Sequence, residues 1–160
     1  MKKQIDFSRF FKQKKYHQLT YKLREGVNKK HDIIFLDSYI HDAILFLDNI
    51  VLKRGILTIP LERICWELED SNFETHSCLS NISIYNVRDY FFSFNKNLLE
   101  GWNLPTKVNI SDFSLLDSDK DSIFKFSLFI KDELPEFQMT IIAARKGNIL
   151  TLKDEINSFN

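Results

Sequence analysis

Apolar and polar residues alternate along most of the chain beyond residue 31, with the period of two that a half-buried β-strand requires. The alternation is clearest over residues 123–130, where Phe124, Phe126 and Leu128 share one face. The same pattern predicts further strands at residues 79–87, 108–116, 137–143 and 149–152. Because Lys146-Gly147-Asn148 separates the last two segments, a hairpin is predicted between them.

Two segments in the middle of the chain depart from this simple alternation. Residues 43–52 are apolar at both parities, which predicts a central strand covered on both faces, followed by a turn at residues 53–55. Apolar positions then fall at odd numbers from Leu57 to Leu61 and at even numbers from Ile64 to Leu68. Since Pro60 lies beside this switch, we predict a β-bulge or a corner there.

The first segment of the chain has a different period. Phe7, Phe10 and Phe11, and later apolar residues at spacings of three and four, predict an amphipathic helix from Asp6 to about Val27. A competing interpretation treats residues 19–24 as a strand, because apolar and polar residues also alternate there.

These elements predict a mainly β fold of the α+β type. We expect an antiparallel sandwich or partly open barrel of six to eight strands, preceded by the N-terminal amphipathic helix. Residues 1–30 would form a basic helical arm and residues 31–160 the β domain. The 160 residues suit one folded unit.

Charge is distributed unevenly between these two parts. Residues 1–30 hold ten Lys or Arg and two acidic residues, a net charge of +8, whereas the remaining 12 bases and 20 acids give −8. A basic arm of this kind can bind nucleic acid or an anionic surface. Alternatively, its aromatic residues and its charge dock it on the acidic body of the same chain.

Composition also indicates the cellular compartment. The first fifteen residues lack the apolar core of a secretion signal, and the longest apolar runs are far shorter than the ~18 residues that cross a bilayer. The chain has two cysteines. We therefore expect a cytoplasmic protein without a transmembrane segment or a disulfide framework.

The motifs that suggest metal binding are incomplete. His31-Asp32 and His41-Asp42 resemble the His-Asp pair of a class of metal-dependent phosphohydrolases, but both pairs are expected at the start of strands. Cys65, His76 and Cys78 lack a zinc-site spacing. The acidic run from Asp117 to Asp121 starts like a calcium loop but lacks its glycine and closing glutamate, so an acidic turn is predicted. The sequence predicts no metal, cofactor or catalytic residue.

An aromatic run offers another possible binding surface. Phe91, Phe92 and Phe94 precede Lys96, a combination that can stack the bases of single-stranded nucleic acid. Aromatic residues at strand spacing are more often part of a core.

The segment from Leu36 to Ala43 contains the motif His41-Asp42-Ala43, followed by a second strand through Glu62, Arg63 and Trp66. This pattern resembles the small β domains of bacterial immunity proteins from polymorphic toxin systems. The resemblance implies a protein that binds and blocks a partner toxin, without catalytic residues.

The same residues are the candidates for a binding or structural motif. His41 and Asp42 can fix the start of a strand by hydrogen bonding to each other and to the backbone, or they can belong to a functional site. Glu62 and Arg63 can pair with neighbouring strands or form a recognition patch beside Trp66. The sequence thus predicts a non-catalytic protein-binding module; nucleic-acid binding through residues 1–30 and hydrolysis by His41 and Asp42 are the alternatives.

Overall fold

The computed structural model describes residues 20–24, 29–64, 77–94, 97–98, 104–130, 134–145 and 149–155. These residues form eleven strands, one α-helix and one turn of 3-10 helix. The elements are β1 (Thr20–Arg24), α1 (Lys29–Tyr39), β2 (Ile44–Phe46), the 3-10 turn (Leu47–Asn49), β3 (Val51–Lys53), β4 (Ile56–Ile64), β5 (Ser77–Ile84), β6 (Val87–Phe94), β7 (Asn97–Leu98), β8 (Lys107–Asp117), β9 (Asp121–Ile130), β10 (Leu134–Ala144) and β11 (Ile149–Asp154).

All strand pairs are antiparallel and belong to one open sheet with the order β1-β11-β5-β4-β2-β8-β9-β10-β6-β7. The short strand β3 pairs with the part of β4 that β2 leaves uncovered. This architecture confirms the predicted mainly β, partly open antiparallel fold with one helix near the N-terminus. Because several strands have only two or three residues, the described strands outnumber the six to eight expected.

Along the sequence, the chain crosses twice from one half of this sheet to the other. It leaves β5 for β6 at Asn86, which has a positive φ of 59° and accepts a hydrogen bond from the Ala144 N–H. It also leaves β10, which pairs with β9 and β6, for β11, which pairs with β1 and β5. The hairpin predicted between the last two strands is therefore wrong, and residues 146–148 lie outside the described residues.

One hydrophobic core contains residues of the helix and of strands β2, β4, β5, β6, β8, β9, β10 and β11. Alternate residues of β4, β5, β10 and β11 are buried, as their period-two pattern requires. Helix α1 adds Phe35, Leu36 and Tyr39, and Ile40 directly after the helix extends the same buried face. The core therefore packs the helix against the sheet.

The predicted helix over residues 6–27 is wrong at Thr20–Arg24, which form β1. Tyr21 and Leu23 pair with Leu152 and Leu150 of β11, so the competing strand interpretation holds there. Residues 1–19 and 25–28 lie outside the described residues. The helix of the structure begins at Lys29, at the end of the expected arm, and most of it lies in the segment expected to begin the β domain.

The central strand predicted over residues 43–52 is interrupted. The 3-10 turn from Leu47 to Asn49 separates β2 from β3, and Val51 and Leu52 are exposed. β2 itself is central, since it lies between β4 and β8. The turn predicted after it is present: Arg54 and Gly55 both have positive φ angles and join β3 to β4 as a two-residue hairpin loop.

Candidate functional site

Strand β4 carries a charged side chain into the core. Its odd-numbered residues, Leu57, Ile59, Leu61 and Arg63, are all buried, and its pairing with β5 continues without a register shift through Ile64. The β-bulge or corner predicted near Pro60 is therefore wrong. The next inward position after Leu61 is occupied by the charged Arg63 and not by an apolar residue.

The buried charge of Arg63 is neutralised by Asp154 at the end of β11. The guanidinium Nε donates to Asp154 Oδ1 at 2.9 Å and Nη2 donates to Oδ2 at 2.7 Å, a two-pronged arrangement. Each side chain is only 1% exposed. A guanidinium and a carboxylate at this depth require each other, because either charge alone would lose its hydration without compensation.

Two neighbouring hydroxyls complete the environment of the carboxylate. Ser80 on β5 donates to Asp154 Oδ1 at 2.5 Å, and Tyr39 at the end of α1 donates to Oδ2 at 3.2 Å. The Tyr39 ring also lies against the guanidinium, with its centroid 3.8 Å from the Arg63 Cζ atom. We call Arg63, Asp154, Tyr39 and Ser80 the buried polar cluster.

The buried polar cluster joins four elements, α1, β4, β5 and β11, at one point of the core. The Cys78 thiol lies beside it, with Sγ 3.6 Å from Ser80 Oγ. Because Arg63, Asp154, Tyr39 and Ser80 are all at most 1% exposed, a substrate in solvent does not reach them. The geometry assigns the cluster a structural role.

His41 and Asp42 lie in the turn between α1 and β2. His41 Nδ1 is 3.1 Å from Asp42 Oδ1, with side-chain exposures of 54% and 41%. The Asp42 N–H donates to the carbonyl of Ile110, and the Asp42 carbonyl accepts from the Asn109 side chain. Asp42 also has a positive φ of 62°. The pair thus lies at the surface, and the Asp42 backbone attaches the turn to β8.

Asp37, about one helical turn before His41, accepts a hydrogen bond from the backbone of a neighbouring strand. Its Oδ1 accepts the Phe113 N–H of β8 at 2.8 Å. Burial raises the pKa of Asp37 above its usual value of 3.8, and the nearby Asp112 raises it further, against the opposing effects of the Phe113 hydrogen bond and His41. Asp37 was not among the residues predicted from the sequence, although a helix ending near His41 places a residue four positions earlier on the same side.

Of the other candidate residues, Glu62 and Arg63 lie on opposite faces of β4. Glu62 occupies the opposite face of β4 from Arg63 and pairs with Ile44 and Leu79 across the sheet. Trp66 lies outside the described residues, as do Cys65 and His76. Glu62 and Arg63 are therefore separated by the thickness of the sheet.

Of the motifs considered for metal binding, His31-Asp32 lies in another element than expected, whereas the acidic run from Asp117 to Asp121 contains the predicted turn between two strands. His31-Asp32 lies within α1, not at the start of a strand as expected. Asp117 and Asp121 end β8 and begin β9, and the turn between them is held by Ser118, which donates to the Asp121 carbonyl. Arg88 pairs with Asp121 at 2.7 Å. Within the described ranges, no group of three or more His, Cys, Asp or Glu side chains could hold a metal ion.

A groove of about 410 Å³ lies between the 3-10 turn and strands β6 and β7. It is lined by Leu47, Asp48, Tyr90, Phe91, Phe92, Leu98 and Leu104. Tyr90, Phe92 and Leu104 are partly buried and pack against the core, whereas Leu98 is 69% exposed. We call this the aromatic groove; two of its residues, Phe91 and Phe92, belong to the aromatic run predicted as a possible stacking surface for nucleic acid.

A scan against protein-family models and searches of curated proteins and of solved structures gave no match to this chain. Among the described residues, α1 is too short and too polar to cross a membrane, and no other helix could do so.

Proposed function

We propose that the protein is a non-catalytic protein-binding module, similar in role to an immunity protein, and that the aromatic groove contacts its partner. The observation that carries the proposal is the composition of this groove, in which Tyr90, Phe91 and Phe92 lie beside the exposed Leu98. Aromatic residues are enriched in protein interfaces, and large apolar side chains grouped at a surface are typical of binding sites.

The resemblance carried by His41-Asp42-Ala43 supports the same class of function. In the structure these three residues connect α1 to β2, and Ala43 is buried beside Ile110, which donates its N–H to the Ala43 carbonyl. A motif in this position has a structural role in the fold. Such a role is consistent with a family whose members bind partners and carry no catalytic residues.

Two exposed leucines provide a matched test of the groove. Leu98 lines it, and Leu116 lies at the far end of β8 with a similar exposure of 65%. Tagged wild-type protein, Leu98→Glu and Leu116→Glu would be purified from the native cell, and the partner would be identified by mass spectrometry. We expect Leu98→Glu to raise the Kd for this partner at least tenfold, about 1.4 kcal/mol, because it places a charge in an apolar contact.

Leu116→Glu is expected to leave the Kd within about twofold of the wild-type value, since surface substitutions outside an interface have small effects. Equal weakening by both variants would contradict a role for the groove. Recovery of a small molecule and no protein partner would contradict the protein-binding function itself.

Nucleic-acid binding is the second candidate, and it rests on the +8 charge of residues 1–30. Strand β1 connects this charge to the sheet: Lys22 pairs with Thr151 of β11, and Thr20 pairs with Lys153. If the arm binds phosphates, replacing Lys12, Lys14 and Lys15 by Gln in the full chain should reduce the slope of log K against log salt by about 2 to 3. Binding to single-stranded and double-stranded oligonucleotides would be measured by fluorescence anisotropy, and a salt-independent affinity would reject this function.

A further inference from the structure

The outer edge of β6 is paired over only part of its length in the described ranges of the chain. β6 lies near one end of the sheet order, with β10 on its inner side and the two-residue strand β7 on its outer side. Among the residues that the structure describes, β7 pairs with Ser93 and Phe94 and leaves the earlier part of β6 without an outer strand. Such an edge presents backbone N–H and C=O groups that can pair with a strand of another chain.

Tyr90 lies on this uncovered part of the edge. Residues of an antiparallel strand direct their N–H and C=O groups alternately to one neighbouring strand and to the other. Phe94 and Asn97 close the short connection to β7 and face each other. Because Tyr90 has the same parity as Phe94, its N–H also points away from β10.

A carboxylate occupies this outward N–H. The Tyr90 N–H donates to Asp89 Oδ1 at 2.8 Å, in a solvent-exposed hydrogen bond between consecutive residues. Beside this position the register of β6 against β10 shifts, with Arg88 as the extra residue of a bulge. Charged side chains and bulges are both means by which natural sheets keep their edges from pairing with other chains.

The aromatic groove runs along the same edge. Its lining includes Tyr90, Phe91 and Phe92, and consecutive residues of a strand point to opposite faces of the sheet. A groove that touches all three therefore follows the edge of β6, not one face. Aromatic side chains at this edge would add apolar contact to any strand that paired with it.

We propose that Asp89 prevents the edge of β6 from pairing with the same edge of a second copy of this chain. A second copy fits this edge because two identical strands related by a two-fold axis run antiparallel, and each then offers the N–H that the other's C=O accepts. With Asp89 present, pairing breaks the hydrogen bond to Tyr90 and brings two carboxylates to one junction. The proposal concerns contacts between copies and is independent of the protein partner proposed above.

Sedimentation velocity of the purified full chain tests this role of Asp89. Asp89→Ala removes the carboxylate, and the matched control Asp119→Ala removes the same charge from the exposed turn between β8 and β9. We expect Asp89→Ala to form dimers with a Kd of roughly 100 µM or lower, and the wild type and Asp119→Ala to have a Kd at least about tenfold higher. An Asp89→Ala chain that stays monomeric, or equal dimerisation of all three chains, would overturn the proposal.

A proline at position 90 shows whether the dimer forms through this edge. In the Asp89→Ala chain, Tyr90→Pro removes the outward N–H, which an edge strand tolerates because that group does not pair with the neighbouring strand. Tyr90→Ala in the same background loses the same ring and keeps the N–H. We expect the alanine variant to dimerise and the proline variant to be monomeric, with circular dichroism confirming that both are folded. A folded proline variant that dimerises as well as the alanine variant would place the association elsewhere and overturn the proposal.

Hydrogen exchange reports on the same edge without a substitution at Tyr90. In the wild type, we expect exchange of the Tyr90 amide to be independent of protein concentration. In Asp89→Ala, it should slow by about threefold or more between roughly 10 µM and 500 µM, because pairing with a second copy protects the amide. Exchange in Asp89→Ala that does not change with concentration would contradict the proposal, whether or not the proline variant folds.

Discussion

Tyr39 contacts both members of the buried ion pair with different parts of one side chain. Its hydroxyl donates to Asp154 and the face of its ring covers the guanidinium of Arg63. The ring also stacks on Phe35 one helical turn earlier, at a centroid distance of 5.2 Å. This single residue therefore couples the orientation of α1 to the charges at the ends of β4 and β11.

Substitutions at Tyr39 should separate these two contributions. Tyr39→Phe removes one hydrogen bond to a charged acceptor and should lower the free energy of unfolding by about 1.5 kcal/mol. Tyr39→Leu also removes the ring from the guanidinium, and should lower it by about 3 kcal/mol or more. Urea denaturation would measure both. Tyr85→Phe, at a half-buried position, is the control, with an expected effect within about 0.5 kcal/mol; equal effects of the two Tyr39 variants would exclude a contribution from the ring.

The raised pKa of Asp37 determines the direction in which its contribution to stability changes with pH. Because the folded state raises this pKa above the usual value of 3.8, the folded state binds the proton more tightly than the unfolded state. The contribution of Asp37 to stability is therefore most favourable below pH 3.8 and declines as pH rises through the folded pKa.

Asp37→Asn should remove this dependence while keeping an oxygen that accepts the Phe113 N–H. We expect the variant to gain stability relative to the wild type at pH 7, and the difference to shrink toward zero at pH 3. Thermal denaturation at several pH values would follow the difference. A difference that grows as the pH falls would indicate that the Asp37 carboxylate is stabilised in the folded state.

At the scale of elements, the β3–β4 hairpin depends on two consecutive residues with positive φ, 53° at Arg54 and 75° at Gly55. Angles of this sign at both central positions define a type I′ turn, for which Asn-Gly is the preferred sequence. A Cβ atom at Gly55 would meet its nearest heavy atoms at 3.9 and 4.0 Å, so steric space is adequate and only the backbone conformation resists a side chain.

Two substitutions in this turn should therefore act in opposite directions. Arg54→Asn should stabilise the protein by about 0.5 kcal/mol, because Asn adopts positive φ more readily than Arg. Gly55→Ala should destabilise it by about 1 kcal/mol for the opposite reason. Chemical denaturation would compare them with the wild type, and a stabilising Gly55→Ala would be incompatible with the left-handed geometry.

The elements that the sequence predicted well are those with an unbroken alternation. Strands β5, β8, β9, β10 and β11 lie at or near their predicted positions, because each has one face in the core. Helix α1 was not predicted because the buried residues at its end, Phe35-Leu36 and Tyr39 followed by Ile40, come in adjacent pairs, which fit a strand as well as a helix. Little in the sequence indicates that the strand predicted over residues 43–52 is interrupted, because Leu47, which lies within the 3-10 turn, is itself apolar and buried.

The site could be predicted only in part, for a reason visible in Arg63. The alternation that directs Leu57, Ile59 and Leu61 into the core continues to Arg63, so the pattern by itself would bury this side chain. A charged residue at an inward position instead suggested that the strand changes phase. Its partner Asp154 is 91 residues away, and no local spacing connects the two. His41 and Asp42 are in contact as expected, whereas the aromatic groove joins residues from separate elements and required the structure.

For the whole molecule, the shared core predicts a single unfolding transition. Leu61 in β4 and Phe126 in β9 are both fully buried in one hydrophobic cluster, although they lie in different parts of the sheet. Leu61→Ala and Phe126→Ala should each shift the same transition, by about 3 kcal/mol. Calorimetry and circular dichroism should agree on one midpoint for each variant; two separate transitions would indicate that the ends of the sheet unfold independently.

The position of Asp154 in the chain also has a consequence for the order of folding. Its partners Ser80, Arg63 and Tyr39 are separated from it by 74, 91 and 115 residues. Contacts this distant require long loops to close before they contribute, so we expect folding on the millisecond to second timescale of proteins rich in non-local strand pairs. During synthesis on the ribosome, β4 and β5 emerge long before β11, and the edge of β5 that β11 will cover is exposed to chaperones and to other nascent chains throughout that interval.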